Sequence, residues 1–310
     1  MVLLFIPASI NFCFYVCNLK DKTKGNDKLV VQKNNLKDNL LDDKNLIYKT
    51  GYEVEKNIDP KLENYLIGVV AAEMPANFEL EALKAQAVAS RTYAIKNYDG
   101  IDYKNLYQAY TETDKLKKNW GSNFDRNYKK IKKAVSTTAG KTIKYNNKEI
   151  QAVFHAMSSG YTENSENVWQ KSLPYLKSVD SQDDKNAPGF LTEKKFLLSD
   201  LIKKINSKYN VKLTKNNFKD KFIIAHRSKA GYIKKINICG KDIDAMDLRF
   251  FLGLRSNNFE FRLSGDYIIF ITKGFGHGAG MSQYGANFLA KKGLNYKQIL
   301  KHYYSGVEIY

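Results

Sequence analysis

Glu73 stands in the string Ala71-Ala72-Glu73-Met74-Pro75, a carboxyl among small and apolar neighbours just before a proline. Apolar surroundings disfavour the ionised form of a carboxyl, and so does the negative end of a helix. A carboxyl held protonated near neutral pH can serve as a general acid. The alternative is an ordinary helical glutamate paired with a cation, for which Arg91 and Lys84 are candidates. Pattern alone leaves both open, and most helical glutamates are solvated or paired.

Other groupings invite chemistry less strongly. His155 precedes Ser158-Ser159-Gly160, but the Gly-x-Ser-x-Gly elbow of a hydrolase nucleophile is missing. Small serines before a glycine are ordinary turn formers. His155 and His277 lack a third ligand at recognisable spacing, so no metal is expected. The string KGFGHGAG follows a strand pattern and precedes a helix pattern, yet no Lys-Ser/Thr pair follows it and too little chain remains for a nucleotide-binding unit. A glycine-rich turn brings backbone close to something. A sugar chain fits that place, with Gly278 in the turn and His277, Gln283 and Tyr284 offering polar groups.

The elements that must position Glu73 carry clear signals. Asp59 can cap a helix with Pro60 at its first position and Glu63 in its first turn. Leu62, Leu66, Val69 and Val70 recur at helical spacing, and Pro75 ends the run. Asn77 is the expected cap of a second helix rich in alanine, which lets other elements approach closely. Further on, Tyr128, Ile131, Val135 and Thr138 predict a helix, with Gly140 as its cap. KTIKYNNKEIQAVFH predicts a hairpin turning at Asn146-Asn147. Phe190 to Asn210 reads as helix, with Leu197, Leu201 and Ile205 on one face. FIIAHRS, YIKKINICG and DYIIFIT read as strands, and DAMDLRFFLG starts as a helix. Ser282 and Asn295 cap two closing helices. Helices and strands mix without a repeating βαβ order, so the expected class is α+β, with no doubly wound sheet.

The chain has 310 residues, 43% of them hydrophobic, enough for a substantial core. Its formal charge of +18, from 50 Lys+Arg against 32 Asp+Glu, suits an anionic setting: nucleic acid, membrane surface or acidic wall polymer. No helix-turn-helix, zinc-finger or RNP-like string appears, so nucleic acid is not expected. Residues 1–18 are strongly apolar but interrupted by Pro7, Ser9 and Asn11, and shorter than a full membrane span. They read as an uncleaved membrane anchor, with a signal core or a buried helix as alternatives. Residues 19–48 read as a polar linker, and 49–310 as one domain. Cys13, Cys17 and Cys239 form no disulfide framework and no Cys-x-x-Cys pair.

Three strings occur in order: AAEMPANFELEALKAQAVASRTYA; FHAMSSGYTENSENVW followed by PYLKSVDSQDD; and GFGHGAGMSQYGANFLAKKG. Together they closely resemble the signature of the stage II sporulation protein D (SpoIID) family, which includes amidase enhancers of the LytB type. The resemblance runs from about Tyr52 to Tyr310. It implies that Glu73 is the catalytic acid of a peptidoglycan lytic transglycosylase. It implies that Arg91 binds substrate or steadies that carboxylate, and that the glycine string lines the cleft. Tyr93, His155, Ser159, Gly160, His277, Gly278, Gln283 and Tyr284 would then touch substrate, and Tyr93, Tyr284 and Trp169 would stack on sugar rings. Some relatives hold zinc through a Cys/His cluster; the matching stretch here, YKNLYQAY, has neither residue, so no metal or other cofactor is expected.

The resemblance further implies a membrane-anchored enzyme on the mother-cell side of the sporulation septum, acting in engulfment. Its substrate would be glycan strands stripped of peptides by an amidase of the stage II sporulation protein P type (SpoIIP), with the membrane protein SpoIIM as a second partner. The alternative is a non-catalytic amidase enhancer that binds wall or partner. Glu163, Glu166 and Asp180 could supply the second carboxylate of a hydrolase, so the residues alone leave hydrolysis open.

Overall fold

The first described helix, α1 (Pro60–Glu73), begins as its sequence dictates. Asp59 accepts a hydrogen bond from the Lys61 N–H at 2.9 Å, and Pro60 takes the first turn. The helix ends at Glu73, two residues before Pro75. The computed structural model describes residues 59–98, 103, 106 and 108–310. The expected anchor, the linker and the start of the domain lie outside these residues. Among the described residues no helix is long and apolar enough to cross a membrane.

Helix α2 (Leu80–Asn97) is the centre of the first core. Ala82, Leu83, Ala85, Ala87, Val88 and Ala89 are all buried, so the helix has hardly a solvent face. The cap differs from expectation. Glu79, not Asn77, precedes the helix, and the side chain of distant Asn287 accepts the Glu79 N–H at 2.7 Å. Helices α3 (Thr113–Trp120) and α4 (Phe124–Ser136) follow, and α4 packs on both α1 and α2. It ends at Ser136, before Gly140, which instead turns the chain at φ 71°. Strands β1 (Ile143–Tyr145) and β2 (Lys148–Glu149) form the expected hairpin, with Asn146 and Asn147 both at positive φ. Next come the short strand β3 (Phe154–His155) and helix α5 (Ser165–Trp169).

The second core lies in the insert between residues 190 and 273. The stretch expected to be one helix is split: β4 (Leu191–Leu197) is a strand, and only α6 (Leu198–Tyr209) is helical. The short α7 (Phe218–Lys221) leads into the antiparallel sheet of β5 (Phe222–Arg227), β6 (Ile233–Ile238) and β7 (Lys241–Asp244). Helix α8 (Ala245–Leu252) is capped by Asp244. Strands β8 (Phe259–Ser264) and β9 (Tyr267–Lys273) complete a second sheet, ordered β4-β9-β8. Ile236, Ile238, Leu248, Phe259, Ile268 and Phe270 fill the space between these sheets and helices.

The chain then returns to the first core. Strand β10 (Met281–Ser282) lies parallel to β3, pairing Met281 with Phe154 and Ser282 with His155. Helix α9 (Gln283–Lys291) starts at once, α10 (Tyr296–Tyr303) carries a full capping box from Asn295 and Gln298, and β11 (Glu308–Ile309) closes on β1. Both α9 and α10 pack on α2. The architecture is α+β with small separate sheets, as the mixed element order predicts.

Candidate active site

Glu73 closes α1, and a close crossing sets what meets it. A Cβ on Gly68 would overlap the Tyr110 ring, so only glycine lets that segment lie against the helix. The Tyr110 ring stacks on Tyr65 with centroids 5.4 Å apart, and the Thr111 N–H bonds the Gly68 carbonyl at 3.2 Å. This alignment brings the Ala109 N–H to Glu73 Oε1 at 3.0 Å.

The other carboxyl oxygen meets the end of the glycine string. Ser282 caps α9 by accepting the Gly285 N–H, and Gln283 opens the helix. The Gln283 amide donates to Glu73 Oε2 at 3.3 Å and to Gln86 Oε1 at 3.4 Å. Gln86 in turn donates to Ser90 Oγ at 3.0 Å along α2, and Gln108 donates to the Ser90 carbonyl. Glu73 is thus held by neutral donors, and the last turn of α1 holds no basic residue. Burial pushes its pKa from 4.5 to about 7, against the opposing pull of the Ala109 and Gln283 hydrogen bonds. Ala72 is half-buried and Pro75 exposed, so the carboxyl sits just beneath the surface.

The cations named as alternative partners are engaged elsewhere. Lys84 pairs with Glu81 at 2.7 Å. Arg91 is fully buried, with Nε and Nη2 on the two oxygens of Glu63 at 2.6 and 2.7 Å. Its remaining bonds reach the carbonyls of Lys141 and Val135. Glu63 lies in the first turn of the helix that Glu73 ends, about 15 Å away at 1.5 Å per residue. The expectation that Arg91 touches substrate or steadies Glu73 is therefore corrected: it is an interior ion pair tying α2 to α1 and to the α4–β1 turn.

His155 and His277 also face inward. His277 is buried; its Nδ1 accepts the Ala279 N–H at 3.1 Å, so the proton sits on Nε2, which donates to the Phe154 carbonyl at 3.1 Å. His155 donates from Nδ1 to the Ala279 carbonyl at 3.1 Å, while its Nε2 has no hydrogen-bond partner among the described residues. Burial is the main cause that holds both rings neutral, driving His155 down to about 4 and His277 well below its ordinary value. The Trp169 ring lies 5.1 Å from His277. No group of three or more His, Cys, Asp or Glu among the described residues is arranged to hold a metal ion.

The glycine string packs against its own chain. Residues 274–283 are all buried. A side chain at Gly280 would strike the Val153 carbonyl, and one at Gly278 would strike the Tyr232 ring. These glycines make room for the protein's own backbone and the Tyr232 ring, where the sequence reading expected a sugar chain. Ser159 is half-buried, with its N–H on the Tyr232 hydroxyl at 3.1 Å, and Gly160, at φ 112°, donates to Ser158 Oγ. Tyr93 is buried. Tyr284 is half-buried, its ring edge-on to Phe78 at 5.0 Å. Of the expected site residues, the structure joins Glu73 and Gln283 directly. Sequence reasoning missed Gln86, Gln108 and Asp184.

Asp184 is buried in the turn Gln182–Asn186. It accepts from the Ser158 N–H at 2.7 Å, Ser181 Oγ at 3.0 Å and Ser282 Oγ at 2.9 Å, and burial raises its pKa to about 6. The three candidates for a second carboxylate differ in their surroundings. Glu163 Oε1 receives the Asn164 N–H and the Asn167 amide, each at 2.8 Å, while its buried Oε2 has no hydrogen-bond partner among the described residues. Glu166 meets Lys177 at 3.3 Å, and Asp180 is exposed.

Comparison with known proteins agrees with the shared strings. A family model described as SpoIID, stage II sporulation protein, matches residues 50–145. Stage II sporulation protein D of Bacillus amyloliquefaciens is 42% identical over 274 residues, covering 85% of this chain and 77% of that protein. The protein of the same name from Bacillus subtilis (strain 168) is also 42% identical, with 78% of its length covered. More distant is the amidase enhancer of Bacillus subtilis (strain 168), 30% identical over 302 residues, covering 79% of this chain and 40% of that protein.

Proposed function

The chain belongs to the stage II sporulation protein D family, and from that premise we propose that it is a peptidoglycan lytic transglycosylase with Glu73 as its acid. The observation that carries this reading is a buried carboxyl whose pKa burial raises to about 7 and which, among the described residues, is held by neutral donors. A carboxyl with its pKa raised toward neutrality can give and then take a proton with one side chain. Protonated Glu73 would donate to the oxygen joining MurNAc to GlcNAc as the C1–O bond breaks. The carboxylate left behind would take the proton of the sugar's own 6-hydroxyl as that oxygen closes on C1. The proton returns to Glu73, and the chain ends in a 1,6-anhydro sugar. No water enters and no second carboxylate is required.

Gln283 and the Ala109 N–H would hold the carboxyl in one orientation through both steps. The setting proposed is the sporulation septum, with the enzyme anchored to the membrane by its apolar first residues and working on glycan strands already stripped of peptides. An amidase of the SpoIIP type would supply that substrate, and SpoIIM would share the complex. The kinship with an amidase enhancer keeps a second reading, binding without cleavage. The test is to incubate peptide-free glycan with wild type and Glu73→Gln. Cleavage by wild type and a drop of at least about a hundredfold in the variant support the enzyme. Equal cleavage by both overturns Glu73 as the acid; binding without cleavage by both assigns the enhancer role.

A further inference from the structure

Asp184 belongs to none of the residues that face Glu73, yet it is wired to them. It presents two oxygens to three donors from three separate parts of the chain. Oδ2 takes the Ser158 N–H, which fixes the turn after β3, and Ser181 Oγ, which fixes its own turn. Oδ1 takes Ser282 Oγ. An ionised carboxylate is acceptor-only, so it orients the Ser282 hydroxyl with its proton toward Asp184. The lone pairs of Ser282 then point the other way and accept the Gly285 N–H at 3.1 Å, which starts α9. Gln283, the next residue, is the donor to Glu73. The route from Asp184 to Glu73 is therefore two hydrogen bonds and one peptide step.

We propose that Asp184 is a positioning residue for the Glu73 acid, acting through the Ser282 hydroxyl to set the start of α9 and hence the reach of Gln283. The inference rests on the reading of Glu73 as the acid, but the wiring makes a claim of its own. Gln283 reaches Glu73 at 3.3 Å and Gln86 at 3.4 Å, both long for hydrogen bonds. Neither contact is short enough to hold the amide in place by itself. Fixing the helix start from behind is what keeps the amide between its two acceptors. Ser181 makes an internal control. Its hydroxyl donates to the same carboxylate and pairs with the Tyr303 hydroxyl at 2.9 Å; it lies against Gly285 but, unlike Ser282, caps no N–H of α9.

The test reads the Glu73 carboxyl directly, by carbon-13 NMR titration of the folded protein labelled at glutamate, with the Glu73 resonance assigned by its loss in Glu73→Gln. Gln283→Ala removes a bond that favours the charged form, so the Glu73 pKa is expected to rise by roughly half a unit to one unit, the scale of one hydrogen bond. Ser282→Ala and Asp184→Asn are expected to move it the same way, and Ser181→Ala to leave it in place. On glycan, Ser282→Ala should lower kcat by about tenfold to a hundredfold with KM unchanged, the scale of a small misplacement. A Glu73 that titrates in Ser282→Ala as in wild type overturns the proposal, whatever the loss of stability. So does an unmoved titration in Gln283→Ala. If Asp184→Asn does not fold, the Ser282→Ala titration decides. A wild type that cleaves no glycan would sink the transglycosylase reading while leaving the titration to judge this one.

Discussion

Replacing Glu73 by glutamine keeps the side chain's size and removes its proton, so stability as well as activity should respond. The folded-state pKa of about 7 lies above the ordinary 4.5. Between those values the unfolded chain has released the proton while the folded protein still holds it. Stability must therefore fall as pH rises through that window and level off above about pH 7. A shift from 4.5 to about 7, at about 1.4 kcal/mol per unit, amounts to about 3 kcal/mol of strain from burying the charge. The glutamine variant has no such term. Its new amide must face the Ala109 N–H or the Gln283 amide, a mismatch of about 1 kcal/mol that does not change with pH. Asp184 titrates in both proteins and cancels in the difference. Urea denaturation of both proteins from pH 4 to pH 8 is the assay. The variant should gain on the wild type by about 3 kcal/mol across the series, ending more stable at alkaline pH. A difference that is flat with pH, or that falls, would refute the account of Glu73 as a buried, uncompensated acid.

Arg91→Ala leaves Glu63 buried without its guanidinium, a loss of about 3–5 kcal/mol that denaturation or failure to fold would register; near-wild-type stability would contradict the interior ion pair. His277→Ala unpairs the Phe154 carbonyl and the Ala279 N–H, so calorimetry should show a loss of about 1–3 kcal/mol rather than the neutral change of a surface histidine. Gly68→Ala forces the Tyr110 ring and the Thr111 carbonyl off α1 at about 1–3 kcal/mol. The same change draws the Ala109 N–H away from Glu73, so the carboxyl should titrate higher; an unmoved titration would mean that this segment does not set the site.

What could be read from the sequence was local. Asp59-Pro60 and Pro75 bound α1 by backbone chemistry that acts within a few residues, and the Asn295 box and the Asn146-Asn147 turn are equally self-contained. The apolar flank of Glu73 is contiguous too, which is why its raised pKa was legible. The strand β4 was not, because LTEKKFL lacks clean alternation and owes its strand to the ladder offered by β9. Asp184 closes the string PYLKSVDSQDD, which marks the stretch but does not show that donors from Ser158, Ser181 and Ser282 meet there; only the fold brings them together. Gln86 on an alanine-rich helix carries no signal of its own. The glycine string misled for a physical reason. A glycine that admits a sugar and one that admits the protein's own carbonyl have the same sequence, and Gly280 lies against Val153. Arg91 was misplaced because its carboxylate lies in the first turn of α1 and not the last.

The chemistry itself is most directly tested by the mass of the products released from purified, peptide-free glycan. A lytic transglycosylase leaves sugar chains ending in 1,6-anhydro-MurNAc, each lighter by one water than the hydrolysed chain and resistant to borohydride reduction. Those ends are the expected result, absent with Glu73→Gln. New free reducing ends formed at the cut would show that water is the acceptor, and would contradict the single-acid account at its centre.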